Sequence, residues 1–241
     1  MRSEEITYQA DGLTMRSRLY LPEGAAGRRP GVLVFPEAFG LGEHALKSAE
    51  RLADLGYVAL ACDLHGDGKL YGQLGEVMPL ITALRQAPEH IRARARGGLD
   101  ALTARPEVDA AKVAAIGFCF GGTMALELAR GGAEVAGVIG FHSGLATAAP
   151  HDAKNIKGKV LVCLGADDPS IPLEQRGAFE AEMREGRVDW RMHLYGGVVH
   201  SFTNPAADAM GRPEMARYDA GADRRSWAEM LALFGEVFQG G

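Results

Sequence analysis

The hexapeptide Gly117-Phe118-Cys119-Phe120-Gly121-Gly122 constrains this chain more than any other segment, because of what flanks it. Before it runs Lys112-Val113-Ala114-Ala115-Ile116, apolar and β-branched enough for a buried strand. After it comes Thr123-Met124-Ala125-Leu126-Glu127-Leu128-Ala129, which reads as a helix. A strand that turns directly into a helix holds its central residue in a strained backbone conformation, and only glycines two positions before and after leave room for the chain to fold back. Such an elbow lifts one side chain clear of the sheet. It also aims the first N–H groups of the helix at whatever that side chain attacks, favouring negative charge there. The raised residue is Cys119, the first candidate for a nucleophile. A free cysteine is more commonly a small buried hydrophobe, and Cys62 and Cys163, inside Val58-Ala59-Leu60-Ala61-Cys62 and Val160-Leu161-Val162-Cys163-Leu164 without framing glycines, read that way. Because a Gly-x-Cys-x-Gly string also occurs by chance, the partners of Cys119 must decide its role.

The 241 residues, 47% hydrophobic and 24% charged, suffice for a substantial core and fit one domain over residues 1–241. Glu5–Gln9 and Leu13–Leu21 alternate in polarity around Ala10-Asp11-Gly12, which predicts an antiparallel hairpin. After the loop 22–30 come short runs apolar on both faces: 32–35, 57–61, 113–118, 135–141, 160–164 and 190–195. Helical periodicity falls between them at 43–55, 91–102, 123–130 and 173–184, and again at Trp227, Met230, Leu231, Phe234 and Phe238. The alternation predicts an α/β fold with a mostly parallel, doubly wound sheet and an N-terminal antiparallel hairpin. The glycine-dotted segment 65–87 reads as an irregular excursion placed to act as a lid.

A formal net charge of −5 argues against a nucleic-acid surface, and the basic cluster Arg92-Ala93-Arg94-Ala95-Arg96 reads as a solvated helix face. No apolar run is long enough to span a bilayer, so no membrane partner is expected. Three cysteines without secreted-type spacing, behind an N-terminus that leads into no apolar signal, fit a reducing cytoplasm. No paired Cys or His spacing accompanies Cys119, so neither metal nor cofactor is expected, and a zinc site from Cys119 and His200 is the weaker rival. Oligomeric state is not encoded in any pattern of the chain.

In such a sheet catalytic groups collect where strands end. Three exits carry suitable chemistry: Pro36-Glu37-Ala38-Phe39-Gly40, Gly165-Ala166-Asp167-Asp168-Pro169, and Gly196-Gly197-Val198-Val199-His200-Ser201-Phe202. The order Cys, Asp, His is that in which α/β-hydrolases supply nucleophile, orienting acid and base. His200 would then take the thiol proton while Asp167 or Asp168 fixes its other nitrogen. His142, in Phe141-His142-Ser143-Gly144, is placed to line the pocket, whereas histidines 44, 65, 90, 151 and 193 read as solvated or half-buried.

These segments together resemble the dienelactone hydrolase family of the α/β-hydrolase superfamily, nearly end to end, with cysteine in the elbow and glutamate in the oxyanion turn as its marks. The resemblance implies a single α/β-hydrolase domain with Cys119 as nucleophile, His200 as base and Asp168, rather than Asp167, as acid. It also implies an oxyanion hole from the backbone N–H groups of Ala38 and Phe120. Glu37 would assist thiolate formation when substrate arrives, the sulfur otherwise staying a thiol. The implied reaction is hydrolysis of a small-molecule ester or lactone through an acyl-enzyme. A carboxylesterase or thioesterase without lactone preference, and a ligand-binding protein that keeps the pocket without turnover, are the rivals. One departure stands out: where the best-studied branch has an arginine two residues after His-Ser-Phe, this chain has Asn204, so Arg85 or Arg92 becomes the candidate cation for an anionic substrate.

Overall fold

Two polar-apolar alternating stretches, β1 (Arg2–Ala10) and β2 (Leu13–Leu21), pair antiparallel across the Asp11-Gly12 turn, where both residues take positive φ. The hairpin is an edge: only one side of β1 faces the protein, while β2 pairs antiparallel with β4 (Val58–Ala61). From β4 inward every pairing is parallel. The computed structural model describes residues 1–24 and 27–239; Ala25 and Ala26 of the loop 22–30, and Gly240 and Gly241 of the span 1–241, lie outside the described residues.

The remaining strands are β3 (Arg29–Phe35), β5 (Val108–Phe118), β6 (Gly137–Phe141), β7 (Lys159–Gly165) and β8 (Trp190–Tyr195), and the sheet order is β1-β2-β4-β3-β5-β6-β7-β8. Because their residues alternate faces, each strand feeds two cores. Leu33, Phe35, Val113, Ala115, Val160 and Val162 enter one core, which is covered by α2 (Leu74–Gln86), α3 (Pro88–Thr103), α4 (Phe120–Arg130) and α5 (Leu173–Glu185). Val32, Val34, Ile116, Ile139, Leu161 and Cys163 enter the other, under α1 (Glu43–Asp54) and α6 (Ala220–Gln239). Cys62 and Cys163 are buried free thiols, as expected, and burial raises both. The chain leaves β3 toward β4 on one side and returns to β5 on the other, so a topological switch opens at the carboxyl ends of these strands.

Two expectations change. The excursion 65–87 contains a helix, α2, whose Val77, Ile81 and Leu84 bury one stripe; Gly72, Gly75 and the internal Pro79 obscure that period in the sequence. The basic cluster is not a solvated face. Arg92 donates to Glu127 and Asp152 at 2.9 and 2.6 Å, and Arg94 to Asp11 at 2.8 Å, because α3 lies against α4 and the hairpin turn, where carboxylates meet it. Among the described residues no helix is long and apolar enough to cross a membrane.

Candidate active site

The turn from β5 into α4 holds Cys119 at φ 53°, ψ −116°, a conformation side chains rarely tolerate. Its glycines are there for space: a Cβ on Gly117 would overlap the Gly121 backbone, one on Gly121 the Phe35 and Pro36 carbonyls, and one on Gly122 the Ser143 side chain. Cys119 N–H donates to the Phe141 carbonyl at 3.0 Å, tying the elbow to β6. The thiol, unlike the other two, is partly exposed.

Asp168 follows the end of β7 and is sealed from solvent. One carboxylate oxygen accepts the Ser170 N–H at 2.8 Å and the other pairs with His200 Nδ1 at 2.7 Å, while Asp167 beside it points to solvent. Burial by itself would lower His200, but the charge of Cys119 and the hydrogen bond to Asp168 outweigh it and push the imidazole up to about 10. Burial would raise Cys119, and Glu37 raises it too, yet the charge and hydrogen bond of His200 bring the thiol below its ordinary value. At the sulfur the attraction of His200 and the repulsion of Glu37 therefore act against each other, the two influences on which the expected resting thiol depends.

Glu37 lies in the turn after β3, and its Oε1 accepts from His44 Nδ1 at 2.6 Å and from Asn204 Nδ2 at 3.0 Å. Burial raises this carboxyl, but the hydrogen bond and charge of His44, with the bond from Asn204, hold it below the ordinary range. Asn204 also accepts the Ala206 N–H through its Oδ1 at 3.0 Å, capping the short 3-10 turn Pro205–Met210. Ala38 is next to Glu37 and Phe120 next to Cys119; among the described residues no turn or loop carbonyl accepts from either N–H. The Phe120 N–H lies within hydrogen-bond reach of the Cys119 sulfur and the Ala38 N–H has no such carbonyl partner, the two donors that an oxyanion hole would use.

His142 does not line an open pocket. It is fully buried beneath His200, its Nε2 2.8 Å from Thr203 Oγ1 and its ring edge-on to that of His200 at 5.1 Å, and burial keeps it neutral. Arg92 is engaged by Glu127 and Asp152. Arg85, exposed on α2, places its guanidinium carbon 5.8 Å from the Phe120 ring centroid and forms no ion pair among the described residues. Two histidines read as bystanders belong here instead. His44, in the first turn of α1, reaches Glu37 in the turn after β3. His65, 7% exposed after β4, binds the Ala38 carbonyl through Nε2 at 2.8 Å, burial holding it low. Asp63 fixes that loop by accepting from the N–H groups of Arg16, His65, Gly66 and Gly68. Asp63 and His65 stand just beyond the end of β4, so their signal in the sequence is a strand exit like those after β3, β7 and β8.

No group of three or more His, Cys, Asp and Glu side chains among the described residues is arranged to hold a metal ion. A parallel sheet with an antiparallel entrance, carrying a strained elbow and acid and histidine loops at its carboxyl edge, defines an α/β-hydrolase fold. Comparison with known proteins narrows it. The chain belongs to the dienelactone hydrolase family, whose model matches residues 15–238, and is a hydrolase of that family. A solved structure named m3DLH is 49% identical with a TM-score of 0.94, covering 98% of both chains. One from metagenomic libraries, described as a dienelactone hydrolase-like promiscuous phosphotriesterase, is 46% identical with a TM-score of 0.92 over 98% of both chains. A Yersinia pestis protein provisionally named a carboxymethylenebutenolidase is 27% identical, over 95% of this chain and 86% of its own length.

Proposed function

We propose that the protein hydrolyses an ester or lactone through a thioester on Cys119. The observation that carries this reading is the Asp168–His200 bond of 2.7 Å converging on a cysteine held at positive φ. The Cys119 sulfur attacks the carbonyl carbon and the oxyanion forms between the Ala38 and Phe120 N–H groups. Collapse breaks the carbon–oxygen bond, and the leaving oxygen takes the proton of the His200 imidazolium. With the sulfur acylated, His200 loses its anionic neighbour and becomes a base. It then takes a proton from water as the water oxygen attacks the thioester, and the carbon–sulfur bond breaks to regenerate the thiolate. No metal or cofactor enters these steps.

Asn204 supplies no charge, and its amide is already committed to Glu37 and Ala206. Arg85 therefore stands as the cation for an anionic substrate, its guanidinium poised over Phe120. The test is mass spectrometry for a Cys119-linked acyl group, with kcat/KM over dienelactones, neutral lactones, simple esters and thioesters. Covalent mass on Cys119 and turnover of the lactones are expected; turnover without acylated Cys119 overturns the mechanism. A phosphotriester belongs in the panel because a relative 46% identical is described as acting on that class.

A further inference from the structure

Glu37 is an unfavourable neighbour for a thiolate. Its charge opposes ionisation of Cys119, yet it is itself held ionised and its side chain is only 14% exposed. What offsets it is His44. A carboxylate only accepts, so His44 donates Nδ1–H across 2.6 Å, and an imidazole fixed in that sense keeps its Nε2 free of any hydrogen bond among the described residues. The ring is also held by packing: it lies against Phe118, the residue before the nucleophile, with centroids 4.3 Å apart. Asp223 from the start of α6 and buried His142 are the other titratable groups within electrostatic reach of it.

Two carboxylate–imidazole pairs thus flank the sulfur with opposite sense. In Asp168–His200 the imidazole is the member that acts on Cys119; in Glu37–His44 it is the carboxylate. The first pair stabilises a thiolate; the second opposes one, and would oppose it more without its histidine. We propose that His44 is a positioning residue for the nucleophile: its hydrogen bond to Glu37 and its packing on Phe118 hold the carboxylate off the sulfur, so that Glu37 opposes ionisation of Cys119 less than it would without this partner. This rests on the assignment of Cys119 above. It gives Glu37 a resting partner in a chain where Asn204 stands at the position of an arginine. Gating by substrate then becomes transfer of Glu37 from His44, not release of a free carboxylate.

The experiment follows alkylation of Cys119 by iodoacetamide against pH, with peptide mapping to separate it from Cys62 and Cys163. His44→Leu keeps a side chain against Phe118 and removes the donor; it should slow alkylation at neutral pH about tenfold, one unit of thiol pKa. His44→Asn, whose amide nitrogen stands near the position of Nδ1, should stay close to the wild-type rate. In a Glu37→Gln background the leucine substitution should make no difference, since no charge remains to be held. Wild-type alkylation in His44→Leu, an equal loss in His44→Asn, or an undiminished loss in the Glu37→Gln background would each overturn the proposal. Circular dichroism verifies folding, and His44→Phe replaces the leucine variant if that one does not fold. If Cys119 of the wild-type protein resists alkylation altogether, the nucleophile assignment itself fails, an outcome distinct from the other three.

Discussion

The two ends of α4 use the same chemical groups to opposite purposes. At its C-terminus Arg130, with no exposed surface, donates to Glu182 at 2.7 and 2.9 Å, to Glu127 at 3.0 Å and to the Leu145 carbonyl at 2.9 Å. Arg92 joins from α3 by donating to Glu127 and Asp152. At the N-terminus, about 16 Å away for 11 residues at the usual rise, Cys119, His200, Asp168 and Glu37 form an equally dense set of ionisable groups. The distal network is closed, carboxylates against guanidinium forks that cannot give up a proton. The proximal one leaves a partly exposed sulfur, an imidazole that can change its protonation, and an Ala38 N–H with no turn or loop carbonyl accepting it among the described residues. Density of charge therefore does not mark a site; unspent hydrogen-bonding capacity beside a group that can change protonation does.

Breaking each end separately should give opposite phenotypes. Cys119→Ala should reduce hydrolysis on the order of 10⁴-fold or more while thermal unfolding stays near wild type; retained turnover would remove the contrast. Arg130→Met should do the reverse, lowering stability by about 3–5 kcal/mol in urea titrations, because Glu127 and Glu182 are left buried without their shared cation, while Cys119 alkylation in the folded protein is unchanged. A loss of activity larger than the loss of folded protein would show that the ends are coupled.

Asp168→Asn should cost on the order of 10²-fold or more in kcat, by analogy with triads whose acid fixes the histidine tautomer. Asp167→Asn, at a side chain that points to solvent, should do little, and equal losses would move the orienting role. The charge pair can be sharpened by pH. The thiolate should survive as pH falls below the ordinary thiol value of 9.0, because Cys119 is lowered, and the imidazolium should be lost only as pH rises through about 10. Cys119→Ala removes the largest influence raising His200, so its imidazole should titrate at lower pH in an NMR titration; an unmoved midpoint would leave Asp168 as the sole cause. The smallest expected change is in specificity. Asn204→Arg should raise kcat/KM for a carboxylate-bearing lactone over its neutral ester by at most the roughly 1.5–3 kcal/mol of a charge-assisted hydrogen bond. No change in that ratio would point to Arg85.

The sequence by itself determined what short-range physics controls. Steric crowding in a strand-to-helix turn demanded glycine at 117 and 121, so the elbow was legible at Cys119, and side-chain period gave the hairpin, the buried strands and five of the six α-helices among the described residues. The helix it hid, α2, has its period broken by Pro79 and its stripe reduced to Val77, Ile81 and Leu84. Tertiary structure alone decided what depends on convergence of distant segments. Asp167 and Asp168 are adjacent and chemically identical; the direction in which the chain leaves β7 buries one against His200 and leaves its neighbour in water. His142 looked accessible at a strand end and is sealed beneath His200, while Arg92 looked solvated and is drawn into the network of α4. His44 carries no local mark and His65 only its place beyond the end of β4, because their partners are a carboxylate seven residues away and a carbonyl 27 residues away. A hydrogen bond needs its two atoms within about 3 Å, and for such pairs only the packing of α1 and of the loop after β4 around the turn after β3 supplies that distance.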